Sequence, residues 1–148
     1  MQSGGRVLRV VLDTNVFVSR TISRSGTSAK VFDAWRAMEY WLLVSPAIIR
    51  EIEATLSSSH IRRKYPVTDQ EIADLVDLLS HDALVIEGEM DLTGVVPEDD
   101  SDNMFLTCAI QGDADLIVTG DRHLLNLRVY EGIRIVSVRE FCDLLHLE

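Results

Sequence analysis

The chain has 148 residues, of which 47% are hydrophobic and 26% are charged. We expect one folded domain over residues 1–148, with residues 1–5 flexible, because this length and composition exclude a second domain and a largely disordered chain. The formal net charge of −10 opposes passive binding of nucleic acid, since lysine and arginine hold phosphate groups.

The apolar runs also bear on cellular location. Runs such as Trp41–Val44 are far shorter than the roughly 20 residues of a membrane-spanning helix. The N-terminal residues are polar and contain glycine, which is atypical of a signal peptide, so we predict a cytoplasmic protein with no membrane partner. Cys108 and Cys142 lie in apolar helical patterns, so we expect free thiols.

Five short apolar segments predict β-strands. The first is rich in valine, the pattern of a strand that is buried on both faces of a parallel sheet. The predicted strands are Val7–Leu12, Trp41–Val44, Ala83–Ile86, Leu116–Val118 and Ile133–Val136.

Helical signals lie between these strands. Residues 29–38 and 104–110 each place apolar side chains on one face. Ser45 is a predicted N-cap, followed by proline at the first position of a helix that continues to about Leu56. Two further helices begin with a capping box, in which a Ser or Thr and a Glu three residues later satisfy each other's backbone amides. These pairs are Thr68 with Glu71 and Ser137 with Glu140.

The order of these elements predicts the fold. Strand and helix alternate along the chain, which gives a parallel sheet covered by helices. We therefore predict an α/β three-layer sandwich, with a central, mainly parallel, twisted sheet and helices on both faces. Residues 20–26 and 88–97 carry neither pattern, and we expect them to be flexible.

Two acids directly follow predicted strands. Asp13 ends the first strand, and Asp121 follows Leu116–Val118 after Thr119 and Gly120. Ligands of such sheets bind beyond the carboxyl ends of the strands. A helix cap or an Asx turn explains either acid alone equally well. Two such acids together favour a functional site.

Other acids are candidates for the same site. Asp99 or Asp100 suits an N-cap, which leaves Asp102 in the first helical turn, where the helix dipole favours an anion. Dipole stabilisation alone is an alternative explanation for Asp102. Glu51 lies at the border of the apolar stripe of its helix, a position from which it can lean over the strand ends, although most helical glutamates are merely solvated.

Convergence of four carboxylates requires a counter-charge. Two unit charges about 4 Å apart repel by roughly 4 kcal/mol at an effective dielectric near 20. Several such pairs are tolerable only with protonation or bound cations. An all-oxygen ligand set selects Mg²⁺ or Mn²⁺ over Zn²⁺, and such ions serve phosphate chemistry.

Four segments around these acids resemble the PIN-domain nucleases, specifically the bacterial branch of toxin components of toxin–antitoxin pairs. The segments are residues 10–16 with Asp13, 45–52 with Glu51, 99–109 with Asp102, and 114–121 with Asp121. The resemblance implies that these four acids are the catalytic and metal-binding residues of a nuclease that hydrolyses RNA. It also implies a homodimer and a protein antitoxin as partner.

The same resemblance assigns two supporting groups. Asn15 and Thr119 would orient the carboxylates by hydrogen bonds. Asp99 is a further candidate metal ligand, and Asp100 is an alternative to it, because both are close enough along the chain to assist or replace Asp102.

A basic segment is the candidate RNA contact. Arg62, Arg63 and Lys64 precede Tyr65, so positive charge is combined with a stacking ring, which suits a single strand. A cationic turn at a helix C-terminus is an equally good explanation.

Three rival functions remain. A magnesium-dependent phosphohydrolase with an aspartyl-phosphate intermediate is disfavoured, since the proton donor expected two residues after Asp13 is replaced by Asn15. A phospho-receiver is weakened because neither Lys30 nor Lys64 follows a strand. The third is a catalytically silent PIN-like module that binds a protein partner, which fits the acidic charge.

Overall fold

The computed structural model describes residues 7–87 and 103–147. Its elements, in chain order, are β1 (Arg9–Leu12), α1 (Thr14–Ile22), α2 (Thr27–Arg36), β2 (Trp41–Val44), α3 (Pro46–Ser57), α4 (Ser59–Lys64), α5 (Asp69–Asp82), β3 (Leu84–Val85), α6 (Asn103–Gln111), β4 (Leu116–Val118), α7 (Arg122–Leu125), β5 (Val129–Tyr130), β6 (Ile133–Val136) and α8 (Val138–Leu145).

The six strands form one sheet in the order β3-β2-β1-β4-β6-β5. All neighbouring strands are parallel except β5 and β6, which are antiparallel. With the helices packed on its faces, the sheet confirms the predicted three-layer α/β sandwich. The chain builds outward from β1 through β2 to β3 and then returns to place β4 on the other side of β1. Such a reversal creates a crevice at the carboxyl ends of the two strands.

The central strands are apolar because both of their faces are covered. Val10 and Val11 of β1, and Ile117 and Val118 of β4, are fully buried. Strands β1 and β4 are paired in register, with Leu12 opposite Val118. The two strands therefore end at the same level.

The three predicted N-caps are confirmed. The Ser45 hydroxyl accepts a hydrogen bond from the Ile48 N–H at the start of α3. The capping boxes of α5 and α8 are complete, with reciprocal bonds between Thr68 and Glu71 and between Ser137 and Glu140. These polar exchanges satisfy amides that a helix leaves without a partner.

Helix α1 is the main departure from the prediction. The prediction that residues 20–26 are flexible is wrong for Arg20, Thr21 and Ile22, which form the end of this helix. Helix α1 is capped by Asp13 and packs against α2 and α3. The Arg20 guanidinium lies 4.0 Å from the centre of the Phe32 ring. Tertiary packing thus orders a segment whose β-branched residues weaken its helical signal.

Smaller differences follow from local backbone geometry. Helix α2 begins at Thr27 and ends at Arg36, before Met38, whose φ of 63° is left-handed. Strand β5 was not predicted, and it pairs with β6 through a two-residue turn at Glu131 and Gly132, which have φ of 52° and 81°. Hairpin turns of this length favour positive φ at both residues. Residues 88–97, predicted to be flexible, lie outside the described residues.

The expectation of free thiols agrees with the structure. Cys108 and Cys142 are buried free thiols. No helix in the described ranges is long and apolar enough to cross a membrane.

A close contact at Gly112 gives a test of the packing between α6 and the sheet. A Cβ atom there would lie 2.8 Å from Leu43 Cδ1 and 3.0 Å from the Cys108 carbonyl oxygen. We predict that Gly112→Ala lowers the free energy of unfolding by about 1–3 kcal/mol, measured by urea denaturation, because overpacking strains the core. Gly120→Ala is the control, since a Cβ there meets nothing within 4 Å. Equal stability of the two variants would contradict this packing.

Candidate functional site

Asp13 and Thr119 lie side by side at the carboxyl edge of the sheet. The Asp13 N–H donates to the Val118 carbonyl at 3.0 Å, and the Thr119 N–H donates to the Val136 carbonyl at 3.0 Å. Backbone pairing therefore continues past the ends of β1 and β4. It holds both side chains at the point where the strand order reverses.

A single hydroxyl connects the two acids that follow these strands. Thr119 is fully buried, and its Oγ1 donates a hydrogen bond to Asp13 Oδ2. The same oxygen accepts a hydrogen bond from the Asp121 N–H at 2.9 Å. Thr119 thus contacts the Asp13 carboxylate directly, and the orienting role assigned to it stays a prediction. Residues 106 positions apart in sequence share one contact.

Both acids also cap helices. Asp13 Oδ1 accepts from the Asn15 N–H at 2.7 Å and caps α1, while Asp121 Oδ1 accepts from the His123 N–H at 2.8 Å and caps α7. The sequence left open that both acids are helix caps, and the structure confirms that they are. It does not exclude ligation, because an ionised carboxylate offers about four lone-pair sites.

The Asp13 carboxyl group is buried, which is unusual for an ionisable side chain. Only 4% of its surface is exposed, and this burial raises the pKa of its carboxyl group above the ordinary value. Hydrogen bonds from the Thr119 hydroxyl and from the backbone N–H groups of Asn15, Gly120 and Val16 act in the opposite direction. Burial is the larger effect, so the carboxylate is stabilised incompletely by its neighbours. A cation at this position would supply the missing stabilisation.

The other predicted acids are placed less completely. Glu51 is half-buried on α3, a helix that packs against α1, and its Oε2 accepts a hydrogen bond from Thr55 Oγ1 at 3.4 Å. Asp99 and Asp102 lie outside the described residues. Within residues 7–87 and 103–147, no three Asp, Glu, His or Cys side chains are grouped closely enough to hold a metal ion. The convergence of four carboxylates therefore stays a prediction.

The remaining predicted residues differ in the contacts that their side chains make. The contact of Asn15 with Asp13 is made by its backbone, and its side chain is exposed. Arg62 pairs with Asp69 across the junction of α4 and α5. The Arg63 Nε donates to the Ser59 carbonyl at 3.2 Å, and Lys64 is exposed. Arg62 thus has a structural partner, whereas Lys64 projects into solvent.

Two further polar groups occur near this edge that sequence reasoning did not single out. Thr14 Oγ1 and Asn103 Oδ1 are buried, and neither has a hydrogen-bond partner in the part of the chain that the structure describes. Leaving such a group unpaired costs about 1–3 kcal/mol. Oxygen atoms of this kind are compatible with Mg²⁺ or Mn²⁺, so the donor set fits the predicted ion. The sequence could have indicated these two residues only through their positions directly after Asp13 and Asp102.

Comparison with known proteins identifies the family. The sequence profile of the PIN domain matches residues 9–123. The chain belongs to the PIN-domain family. This PIN domain is 31% identical, over 121 residues, to the uncharacterized protein MJ1680 of Methanocaldococcus jannaschii, an alignment that covers 82% of this chain and 76% of that protein. The family predicted from the four acidic segments is thereby confirmed.

Solved structures share the fold of this PIN domain. One is VapBC2 from Rickettsia felis, bound to a DNA fragment from their promoter, with a TM-score of 0.58, 15% identity, and coverage of 88% of this chain and 98% of that chain. Another is PAE2754 from Pyrobaculum aerophilum, with a TM-score of 0.58 and 18% identity. The match covers 95% of this chain and 90% of that chain. At these identities the likeness is one of fold.

The raised pKa of Asp13 predicts a pH dependence of stability. In the metal-free protein the folded pKa lies above the unfolded one, so folding favours the protonated carboxyl group. The free energy of unfolding therefore rises as pH falls through the folded pKa, and the rise is complete below the unfolded pKa. We predict that Asp13→Asn lacks this gain, measured by urea unfolding in EDTA between pH 8 and pH 3.

The informative quantity is the difference between wild type and Asp13→Asn at each pH, because other carboxyl groups titrate equally in both proteins. A difference that does not change with pH would contradict the desolvated state of Asp13.

Proposed function

We propose that this PIN domain is a divalent-metal-dependent endoribonuclease. The observation that carries the proposal is a pair of hydrogen bonds made by the Thr119 hydroxyl. They connect Asp13 to the backbone of Asp121 at the carboxyl edge of the sheet, where the strand order reverses. Two acids at the ends of adjacent parallel strands form the rigid half of an oxygen-donor site. Rigid placement is what a hydrolytic metal centre needs, because its ligands must keep their geometry during the reaction.

In this proposal each residue of the chain has a defined task. Asp13 and Asp121 hold Mg²⁺ or Mn²⁺ from the sheet edge, and Glu51 and Asp102 complete the ligand set, with Asp99 as a further candidate. A bound ion would supply a Lewis acid that activates the attacking water and stabilises the leaving oxygen. Thr119 fixes the Asp13 carboxylate, and the buried setting of Asp13 strengthens its attraction for a cation. Hydrolysis then requires no covalent bond between enzyme and RNA.

The substrate contact is assigned to the basic segment of α4. Arg63 and Lys64, together with the exposed ring of Tyr65, combine positive charge with a stacking surface. Arg62 contributes charge while it holds α4 to Asp69. Local basicity of this kind lets a chain of net charge −10 accept a polyanion.

The family membership also supports a proposal for the biological setting. We propose that the protein is the cytoplasmic toxin of a toxin–antitoxin pair, acts as a homodimer and is held by a protein antitoxin. The VapBC2 complex from Rickettsia felis, whose fold this chain shares, supports such a partner.

Cleavage of labelled RNA tests the activity. We predict Mn²⁺-dependent cleavage by the wild-type protein and at least a roughly 100-fold loss in Asp13→Asn and in Asp121→Asn, because either change removes a charged ligand. Asp143→Asn is the matched control, since Asp143 is exposed on α8. Normal cleavage by Asp13→Asn would remove the site assignment.

The same experiment separates the alternatives. An inactive wild-type protein would favour a catalytically silent PIN-like module that binds a protein. Turnover of a phosphate monoester without cleavage of RNA would favour the magnesium-dependent phosphohydrolase.

Salt dependence tests the basic segment. We predict that Arg63→Gln and Lys64→Gln each reduce the slope of log affinity against log salt by about 0.7 for single-stranded RNA, because each removes one phosphate contact. Binding is measured by fluorescence anisotropy in EDTA, which prevents hydrolysis. Arg139→Gln, an exposed arginine of α8, is the control. Slopes that match the wild type would show that α4 does not contact RNA.

A further inference from the structure

Two buried oxygen atoms at the carboxyl edge have no assigned role. Three buried side-chain polar atoms lack a hydrogen-bond partner within the described ranges, namely Thr14 Oγ1, Asn103 Oδ1 and Arg62 Nε. The first two belong to residues that open helices beside the candidate site. Buried polar atoms are nearly always paired, so an unpaired one points to a water molecule or an ion.

Thr14 is fixed next to Asp13 by the chain itself. It follows Asp13 directly, so the two Cα atoms are about 3.8 Å apart. Only 8% of Thr14 is exposed, and its Oγ1 is one of the unpaired atoms. The hydroxyl of Thr21, on the same helix, donates to the Phe17 carbonyl at 2.9 Å. The unpaired state of Thr14 is therefore not a general property of threonines in α1.

The topology brings Asn103 to the same edge. Helix α6 packs against β1, and its last turn lies near the start of that strand, because the Gly112 carbonyl accepts hydrogen bonds from the Arg9 guanidinium. The nine residues of α6 span about 13 Å, and the four of β1 span about the same length. Asn103, at the other end of α6, therefore lies toward the carboxyl end of β1, which Asp13 follows.

We propose that Thr14 Oγ1 and Asn103 Oδ1 are oxygen contacts of the hydrated divalent cation held by Asp13 and Asp121. The inference rests on the proposed function, and it adds two positioning residues to the carboxylates. Neutral hydroxyl and amide oxygens suit this task, since Mg²⁺ keeps several of its water molecules in proteins and those waters donate hydrogen bonds. Two neutral acceptors add contacts to the cation without adding repulsion between carboxylates.

The test compares metal affinity with metal-free stability. Thr14→Val and Asn103→Leu are predicted to raise the dissociation constant for Mn²⁺ roughly tenfold each, measured by titration calorimetry on the RNA-free protein. The same variants keep or raise the melting temperature in EDTA, because each removes an unpaired buried polar atom. The melting-temperature increase on adding Mn²⁺ becomes smaller in both.

Matched variants make the result specific. Thr21→Val makes the same substitution on the same helix at a paired hydroxyl, and it should leave the Mn²⁺ dissociation constant within about twofold of wild type. Asn103→Asp keeps an oxygen at this position and adds charge, so it should tighten Mn²⁺ binding. Thr14→Ser retains the hydroxyl and should bind Mn²⁺ like the wild type.

Each outcome decides a separate question. A wild-type protein that does not bind Mn²⁺ overturns the proposed metal centre and this inference with it. Wild-type binding together with unchanged affinity in Thr14→Val and Asn103→Leu overturns this inference alone. Equal weakening by Asn103→Asp and Asn103→Leu also overturns it, because a structural role for the amide would explain that result.

Discussion

The parallel pairing of β1 with β4 is the constraint on which the site depends. Leu12 lies opposite Val118, so the chain leaves both strands at one level and places Asp13 beside Thr119. The Thr119 hydroxyl can then contact Asp13 and the Asp121 backbone together. A shift of one residue in this register would turn Asp13 to the other face of the sheet and break the contact.

The two acids have a structural role that is independent of the proposed chemistry. Each caps a helix with one carboxylate oxygen, which satisfies a backbone N–H at the helix start and leaves the other oxygen outside the cap. The cap explains why a carboxylate is tolerated in the buried position after β1. Backbone N–H groups at the start of α1 offset part of the cost of burying Asp13, and the rest remains as its raised pKa.

The sequence predicts the sheet better than it predicts the helices around the site. Continuous valine and isoleucine runs identify central strands, and Ser or Thr caps identify the starts of α3, α5 and α8. Helix α1 was not predicted, although a helix cap at Asp13 was considered, because the order of its last residues comes from packing against α2 and α3. The Thr119 contact needs tertiary pairing of residues 106 positions apart, which no local pattern contains. Unpaired oxygens such as Thr14 Oγ1 become visible only when burial is known.

Net charge sets the last requirement on the function. A chain of −10 repels RNA at long range, and the acids at the sheet edge repel it most strongly where chemistry would occur. In the proposed function a divalent cation at that edge would offset the charge of the carboxylates and offer a phosphate oxygen a direct contact. The basic residues on α4, which the same proposal assigns to the RNA strand, could not replace this local neutralisation of the carboxylates. Affinity for RNA near the acids and affinity for the cation are therefore coupled, and each should strengthen the other.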